Sequence, residues 1–196
     1  MTDRELQTLV QDTLRLTAEA YASDPALKGL RPKPLPPGSD EHIGSMAASI
    51  PAPIPPSYVA FLKIHDGCVD FWDKLTLLGT KGRPRKLIAD RVKAALEVQA
   101  PEVLLAGGGS SVTPEAVAAF ERQSEGELFY VPAYVVLGVR QDGSCLLFNH
   151  KKRDAQTEPE VVECGPDGRR KRRYDNFEAF LLSTHAELAR LAKRDP

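Results

Sequence analysis

Residues 54–79 read IPPSYVAFLKIHDGCVDFWDKLTLLG, and this stretch predicts a helix, a glycine stop, an aromatic loop and a strand, in that order. Pro55 and Pro56 suit the start of a helix, because proline there loses no helical hydrogen bond and its fixed φ is already helical. The side chains that recur at helical spacing on one face are Tyr58, Phe61, Leu62 and His65. Gly67 then ends the helix, since glycine readily adopts the left-handed conformation that closes many helices.

The segment after Gly67 combines aromatic and acidic side chains, including the only tryptophan of the chain. Tryptophan anchors protein interfaces far more often than its abundance suggests, so this acidic aromatic loop is the best candidate contact surface. The competing interpretation is that a lone tryptophan is partly buried packing. The predicted partner-binding residues are Asp66, Asp70, Phe71, Trp72 and Asp73.

Composition places the chain among ordinary globular proteins. Its 196 residues fit one domain, with 27% charged and 42% hydrophobic residues. No apolar run approaches the ~20 residues that span a bilayer, and the N-terminal sequence MTDRELQTLV does not resemble a secretory signal. Three sparse cysteines argue against a disulfide framework, and a net charge of −1 gives no general attraction to nucleic acid or to an anionic membrane. We therefore expect a cytoplasmic protein with no membrane contact.

The first forty residues predict an added N-terminal element. Residues 3–21 have the spacing of an amphipathic helix, and residues 30–38, LRPKPLPPG, hold too many prolines for a helix interior. Ser39 is placed to cap a helix over residues 40–50. The predicted division is an N-terminal helix with a proline-rich arm packed on the domain, residues 1–38, and one domain over residues 39–196.

The middle of the chain predicts helices. Residues 87–98 have helical spacing, and Thr113 with Pro114 starts a further helix that reaches about residue 123. The glycine run at residues 107–111 lacks the lysine and the spacing of a phosphate-binding loop, which favours a flexible loop. We predict a helical insertion over about residues 83–126.

The pattern then changes to strands. The predicted strands cover residues 128–134, 135–140, 145–150, 160–164 and 169–174, with polar turns at residues 141–144 and 165–168. Asp175 or Asn176 caps a final helix whose apolar side includes Phe177, Phe180 and Leu181. Two successive hairpins followed by a helix predict an α+β fold with a mostly antiparallel sheet.

These motifs together resemble the SUKH superfamily. The resemblance lies in the proline-rich lead, the Tyr58 and Phe61 helix, the H-D-G turn, the aromatic loop before the L-L-G strand end, and the Phe177-x-x-Phe180-Leu181 helix start. Bacterial members of that superfamily are mostly immunity proteins against polymorphic toxins, and a fungal cell-wall regulator also belongs to it. The resemblance implies a single SUKH-like domain, here with an added N-terminal helix, that binds a cognate toxin protein.

Motifs for catalysis are missing from the sequence. It has no G-x-S-x-G elbow, no H-E-x-x-H helix and no grouping of acid, base and nucleophile, so we expect a non-enzyme without a cofactor. The nearest metal pattern pairs His65 with Cys68 and Cys145 with His150, and a Cys2His2 site is the hypothesis it raises. Its spacing is not that of a zinc finger, which favours ordinary core and turn residues.

Basic residues cluster at 151–153 and at 169–173. Three interpretations are open: charges that protect an edge strand from pairing with other chains, phosphate contacts to nucleic acid, or a docking surface for an acidic partner. Edge protection is favoured because the overall charge is near neutral and no recognition module matches. The alternative to an immunity protein is an intracellular regulatory or scaffolding module that binds a host protein.

Overall fold

An antiparallel sheet lies at the centre of the fold, and each strand pairs with the next one along the chain. The computed structural model describes residues 1–50, 52–80, 113–123 and 127–193. Within these ranges the sheet has seven strands: β1 Lys33–Pro34, β2 Cys68–Trp72, β3 Leu75–Leu77, β4 Val135–Val139, β5 Cys145–Arg153, β6 Pro159–Cys164 and β7 Arg170–Tyr174. The predicted α+β class with a mostly antiparallel sheet is confirmed.

Five α-helices accompany the sheet in the described part of the chain: α1 Asp3–Ser23, α2 Asp40–Ser49, α3 Pro56–Ile64, α4 Pro114–Gln123 and α5 Phe177–Ala192. The helices α1 and α5 pack side by side and run parallel. The N-terminal ammonium lies 3.5 Å from Glu178 near their starts, and Asp12 lies 2.7 Å from His185 half-way along. Both helices therefore end on the same side of the molecule.

Helix caps follow the sequence closely. Thr2 forms a capping box with Glu5, and the side chains of Ser39 and Asn176 accept the backbone N–H groups of His42 and Ala179. Such caps satisfy donors that the helix itself leaves unpaired. Asn176, rather than Asp175, is thus the cap of the last helix.

The start of α3 has a different cap. Because Pro55 and Pro56 carry no N–H group, the first donor of the helix belongs to Ser57. The carboxylate of Glu158, in the connection between β5 and β6, accepts this N–H at 2.8 Å and also accepts the Ser57 hydroxyl. The N-terminus of α3, which starts at the prolines, is therefore capped by a residue 101 positions away in sequence.

The main core forms between α3, α5 and one face of the sheet. Tyr58, Phe61 and Leu62 are buried as predicted, and Phe177 packs edge-on against Tyr58 with 4.9 Å between ring centroids. The Tyr58 hydroxyl donates to the backbone carbonyl of Leu78. His65 is the exception on the predicted face, because it caps the helix and its Nδ1 lies 3.2 Å from the carbonyl oxygen of Leu35.

Two glycines of the opening stretch pack backbone to backbone. Gly67 has φ +89°, which confirms the left-handed stop, and a β-carbon there would lie 2.6 Å from the nitrogen of Gly79. A β-carbon on Gly79 would in turn overlap the carbonyl group of Asp66. The H-D-G turn and the L-L-G strand end are therefore two halves of one close crossing of the chain.

The predicted aromatic loop is wrong: residues 68–72 form strand β2, which pairs with β3. The turn between them consists of Asp73 and Lys74, both with positive φ (44° and 58°). Two such residues in succession match the twist of a tight hairpin, although the turn lacks the glycine or asparagine that usually signals it. This hairpin therefore has no local signature in the sequence.

The predicted strand over residues 128–134 is also wrong. Leu128 makes a single bridge to Arg169, and Val131–Ala133 forms a short 3-10 helix. Pro132 explains the difference, because proline cannot donate to a strand ladder. The predicted helix at residues 87–98 and the glycine run at 107–111 lie outside the described residues, as does most of the predicted insertion over about residues 83–126.

Candidate functional site

The structure divides the five predicted partner-binding residues into an interior group and a surface group. Asp66, Asp70 and Phe71 are buried, with relative exposures of 2%, 6% and 0%. Asp66 accepts the backbone N–H of Thr80 at 2.5 Å and its hydroxyl at 2.7 Å. Phe71 packs toward Phe180, with 6.3 Å between ring centroids. These three side chains are buried and offer a partner almost no surface.

Trp72 and Asp73 are the two residues of the set that reach the surface. The indole of Trp72 is half-buried and stacks on Tyr21 of α1, with 5.9 Å between ring centroids. The Tyr21 hydroxyl accepts the backbone N–H of Lys74 at 3.1 Å, and burial raises the pKa of Tyr21 to about 12. Helix α1 thereby fixes both the hairpin turn and the tryptophan beside it.

Trp72 lines a groove of about 500 Å³, which we call the Trp72 groove. Its walls come from the C-terminal parts of α1 and α5, the turn after α1, and the indole. The lining residues are Leu16, Glu19, Ala20, Ser23, Asp24, Pro25, Leu27, Trp72, Leu188, Leu191 and Ala192. The groove is thus largely apolar and contains the only tryptophan of the chain.

The charged residues that line the Trp72 groove are acidic. Glu19 and Asp24 line it, while no lysine or arginine of the described residues does. Glu19 lies 2.6 Å from the Arg15 guanidinium, whereas Asp24 makes no ion pair within the described ranges. Both α1 and α5 end here, and the terminal carbonyl groups of a helix carry partial negative charge.

A second, polar pocket of about 310 Å³ adjoins the groove and shares Asp24, Leu27 and Trp72 with it. Arg140 lines this pocket, and its guanidinium lies 3.1 Å from Glu163 and 3.4 Å from Asp73. Asp73 is 63% exposed, while Arg140 and Glu163 are nearly buried. Asp73 therefore lies in the polar pocket, next to Trp72 in sequence, with its side chain largely accessible.

The basic segment Arg169–Arg173 lies at the start of β7, which is the last strand at one edge of the sheet. Each of its five cations has a carboxylate partner: Asp167, Glu127, Asp142, Glu187 and Glu160, in chain order. Lys152 also contacts Glu160, at 2.8 Å. Cations that are already paired have less to gain from phosphate contacts, so this arrangement favours edge protection over nucleic-acid binding.

The two residue pairs of the metal hypothesis do not meet. Cys145 packs on one face of β5 with Cys164, whereas His150 lies beside Phe148 on the other face. Among the residues that the structure describes, no group of three or more His, Cys, Asp or Glu side chains is arranged to hold a metal ion. Burial also raises the pKa of Cys68 to about 12, so its thiol is not ionised at neutral pH.

His150 predicts a dependence of stability on pH. Both ring nitrogens are shielded from solvent without a hydrogen-bond partner in the described structure, and burial followed by the nearby Arg153 charge lowers the pKa of His150 below 6.5. The unfolded chain is therefore protonated first as the pH falls, so folding free energy should be lost below about pH 6.5. Urea unfolding at about pH 7.5 and 5.5 should show a smaller loss for His150→Gln than for the unchanged protein. Equal losses would contradict this role of His150.

Most of the groove could not be found from the sequence. Trp72 stands out by its rarity, but Leu16 and Leu188 lie on helices at opposite ends of the chain, and Asp24 is an ordinary residue after a helix. The one available signal is that apolar residues of α1 and α5 continue to their last turns, as Leu191 does. That signal indicates burial as readily as binding.

Comparison with known proteins identifies one family. The sequence model described as SMI1 / KNR4 family (SUKH-1) matches residues 37–183, a range that includes both the opening stretch and the start of α5. The match confirms the resemblance drawn from the sequence. A search of curated proteins gave no match. Within the described residues, no helix has the length and apolar character needed to cross a membrane.

Proposed function

We propose, since the chain belongs to the SMI1 / KNR4 family (SUKH-1), that it is an immunity protein which binds a cognate polymorphic bacterial toxin and occludes it. The family match over residues 37–183 is the observation that carries this proposal. Neutralisation by occlusion requires a preformed surface that covers the active site of the toxin. It requires neither a catalytic residue nor a cofactor in the immunity protein itself.

The surface around Trp72 and Asp73 is the proposed contact region. Trp72 stacks on Tyr21, and Asp73 belongs to a tight turn whose second residue, Lys74, donates its backbone N–H to the same tyrosine. A surface fixed in this way loses little conformational entropy on binding, which favours affinity. A standard interface would involve about 20 to 30 residues on each side, so neighbouring residues of α1 and α5 would contribute too.

The proposed setting is the cytoplasm of the toxin-producing cell, with no membrane contact. The toxin is the partner, and direct binding of nucleic acid is not part of the mechanism. The paired cations of β7 support that choice, because five carboxylates already compensate them. Edge strands carrying charge also resist pairing with other chains, which suits a protein that must stay available to its toxin.

Co-expression tests the function directly. The C-terminal domain of the large secreted toxin encoded beside this gene is expressed with and without the protein, and survival and co-purification are measured. We expect cells that express the toxin domain to survive only when this protein is co-expressed. We also expect the two proteins to co-purify as a stable complex. Cell death in both cases, with no complex, would refute the immunity function. A gene with no toxin neighbour would instead favour the alternative, an intracellular regulatory or scaffolding module.

A further inference from the structure

We infer that the Trp72 groove receives an apolar segment of the toxin that carries a lysine or arginine beside its apolar anchor. The inference rests on the proposed function and adds the chemistry of the partner's contact segment. It follows from three properties of the groove: its apolar floor, its negative rim and its rigid tryptophan.

The apolar floor of the groove favours a bulky apolar side chain of the toxin. Leu16, Leu27, Leu188 and Leu191 surround Trp72 in a space of about 500 Å³, large enough for one or two side chains. Moving such a side chain out of water into this space is favourable in proportion to the apolar area covered. The indole adds a flat face for contact, and its stacking on Tyr21 keeps it oriented.

The acidic rim of the groove favours a lysine or arginine side chain of the toxin. The last turn of α1 has no basic residue, and Asp24, which caps the end of this helix, lines the groove. The last turn of α5 has Arg190, but this residue does not line the groove, whereas Leu188, Leu191 and Ala192 do. A lysine or arginine at the rim would gain from Asp24, from the C-terminal end of α1 and from the face of Trp72.

Variants of Asp24 test the contribution of charge to binding, and a variant of Leu191 tests the contribution of apolar packing. Its Oδ1 accepts the backbone N–H of Ala26 at 2.8 Å, which holds the turn after α1. Asp24→Asn keeps an oxygen acceptor for this bond and removes the charge, whereas Asp24→Lys reverses the charge. Leu191→Gln keeps the helix-forming length of the side chain and removes apolar surface from the groove.

The first experiment measures the affinity of the full chain for the C-terminal domain of the neighbouring toxin by calorimetry. Asp24→Lys is expected to weaken binding at least about tenfold, Asp24→Asn by about threefold, and Leu191→Gln by about tenfold. Added salt should weaken the unchanged protein more than Asp24→Asn. The control is Asp175→Lys, an equal charge change at the exposed opposite end of α5, which should leave affinity within about twofold. Unchanged affinity in the Asp24 and Leu191 variants, with folding intact, would overturn the inference while leaving the proposed function in place.

The second experiment does not depend on the toxin. Trp72 is the only tryptophan, so the fluorescence of this residue reports on the groove and on the polar pocket that shares it. An amphipathic peptide of leucine and lysine should shift the emission in a saturable way, and a matched peptide of leucine and glutamate should not. Asp24→Lys should abolish the first response. The inference would be overturned by equal responses to both peptides or by the lack of a saturable response. It would also be overturned by an emission shift that depends on protein concentration alone, because such a shift indicates a second copy of this chain in the groove.

Discussion

Gly79→Ala is expected to destabilise the protein by at least about 3 kcal/mol, a large part of the total for a domain of this size. The new β-carbon would overlap the backbone carbonyl of Asp66 and lie 2.6 Å from that residue's carboxylate oxygen. Neither group can yield easily, because the same carboxylate holds the N–H and hydroxyl groups of Thr80. Urea unfolding followed by circular dichroism and by Trp72 fluorescence measures the loss.

Gly44→Ala is the matched control for this experiment. Gly44 lies inside α2, and a β-carbon there would meet nothing within 4 Å. Alanine should therefore stabilise the protein by about 0.5–1 kcal/mol, since it restricts the unfolded chain and favours the helix. If Gly79→Ala and Gly44→Ala have similar effects, the close crossing at Asp66 is not a constraint on the fold.

Phe177→Ala is expected to cost about 3–5 kcal/mol, the usual range for removing a fully buried aromatic side chain. Phe177 is 0% exposed and touches Tyr58 and Phe61 edge-on, with 4.9 Å and 5.4 Å between ring centroids. Its removal leaves a cavity between α3 and α5, and it also removes aromatic contacts worth about 0.5–1.5 kcal/mol each. Thermal and urea unfolding should both show the loss.

Leu182 provides the comparison on the same helix. Its side chain is 52% exposed, so Leu182→Ala removes little buried area and should change the unfolding free energy by less than about 0.5 kcal/mol. Loss of stability in both variants to the same extent would mean that α5 does not bury the face described here. A cooperative unfolding transition in each variant is needed for the comparison.

The sequence predicts the helices and turns that depend on interactions between residues close together along the chain. Helix α1, the Ser39 cap of α2, the proline start of α3 and the turns around residues 141–144 and 165–168 agree with the structure. Each depends on residues within a few positions of one another: an amphipathic period, a capping side chain, or a glycine in a tight turn. The family motifs are of the same kind, because each consists of residues that are close together along the chain.

The candidate site is different, because its residues come together only through packing. The composition of the aromatic segment singles out Trp72 and Asp73, but it also includes Asp66, Asp70 and Phe71, which the structure buries. Whether a residue in such a segment points inward depends on strand pairing, and the turn at Asp73 and Lys74 has no clear sequence signature.

The family, the α+β class and the order of most elements follow from the amino-acid sequence, because periodicity, caps and glycine stops act over a few residues. Tertiary packing is needed to see that Gly67 and Gly79 cross, that Glu158 caps α3, and that the cations of β7 are paired. It is also needed to locate the Trp72 groove. The physical reason is that these contacts join residues far apart in sequence, such as Ser57 and Glu158, 101 positions apart, or Asp12 and His185, 173 positions apart. No local pattern encodes which distant surfaces pack together.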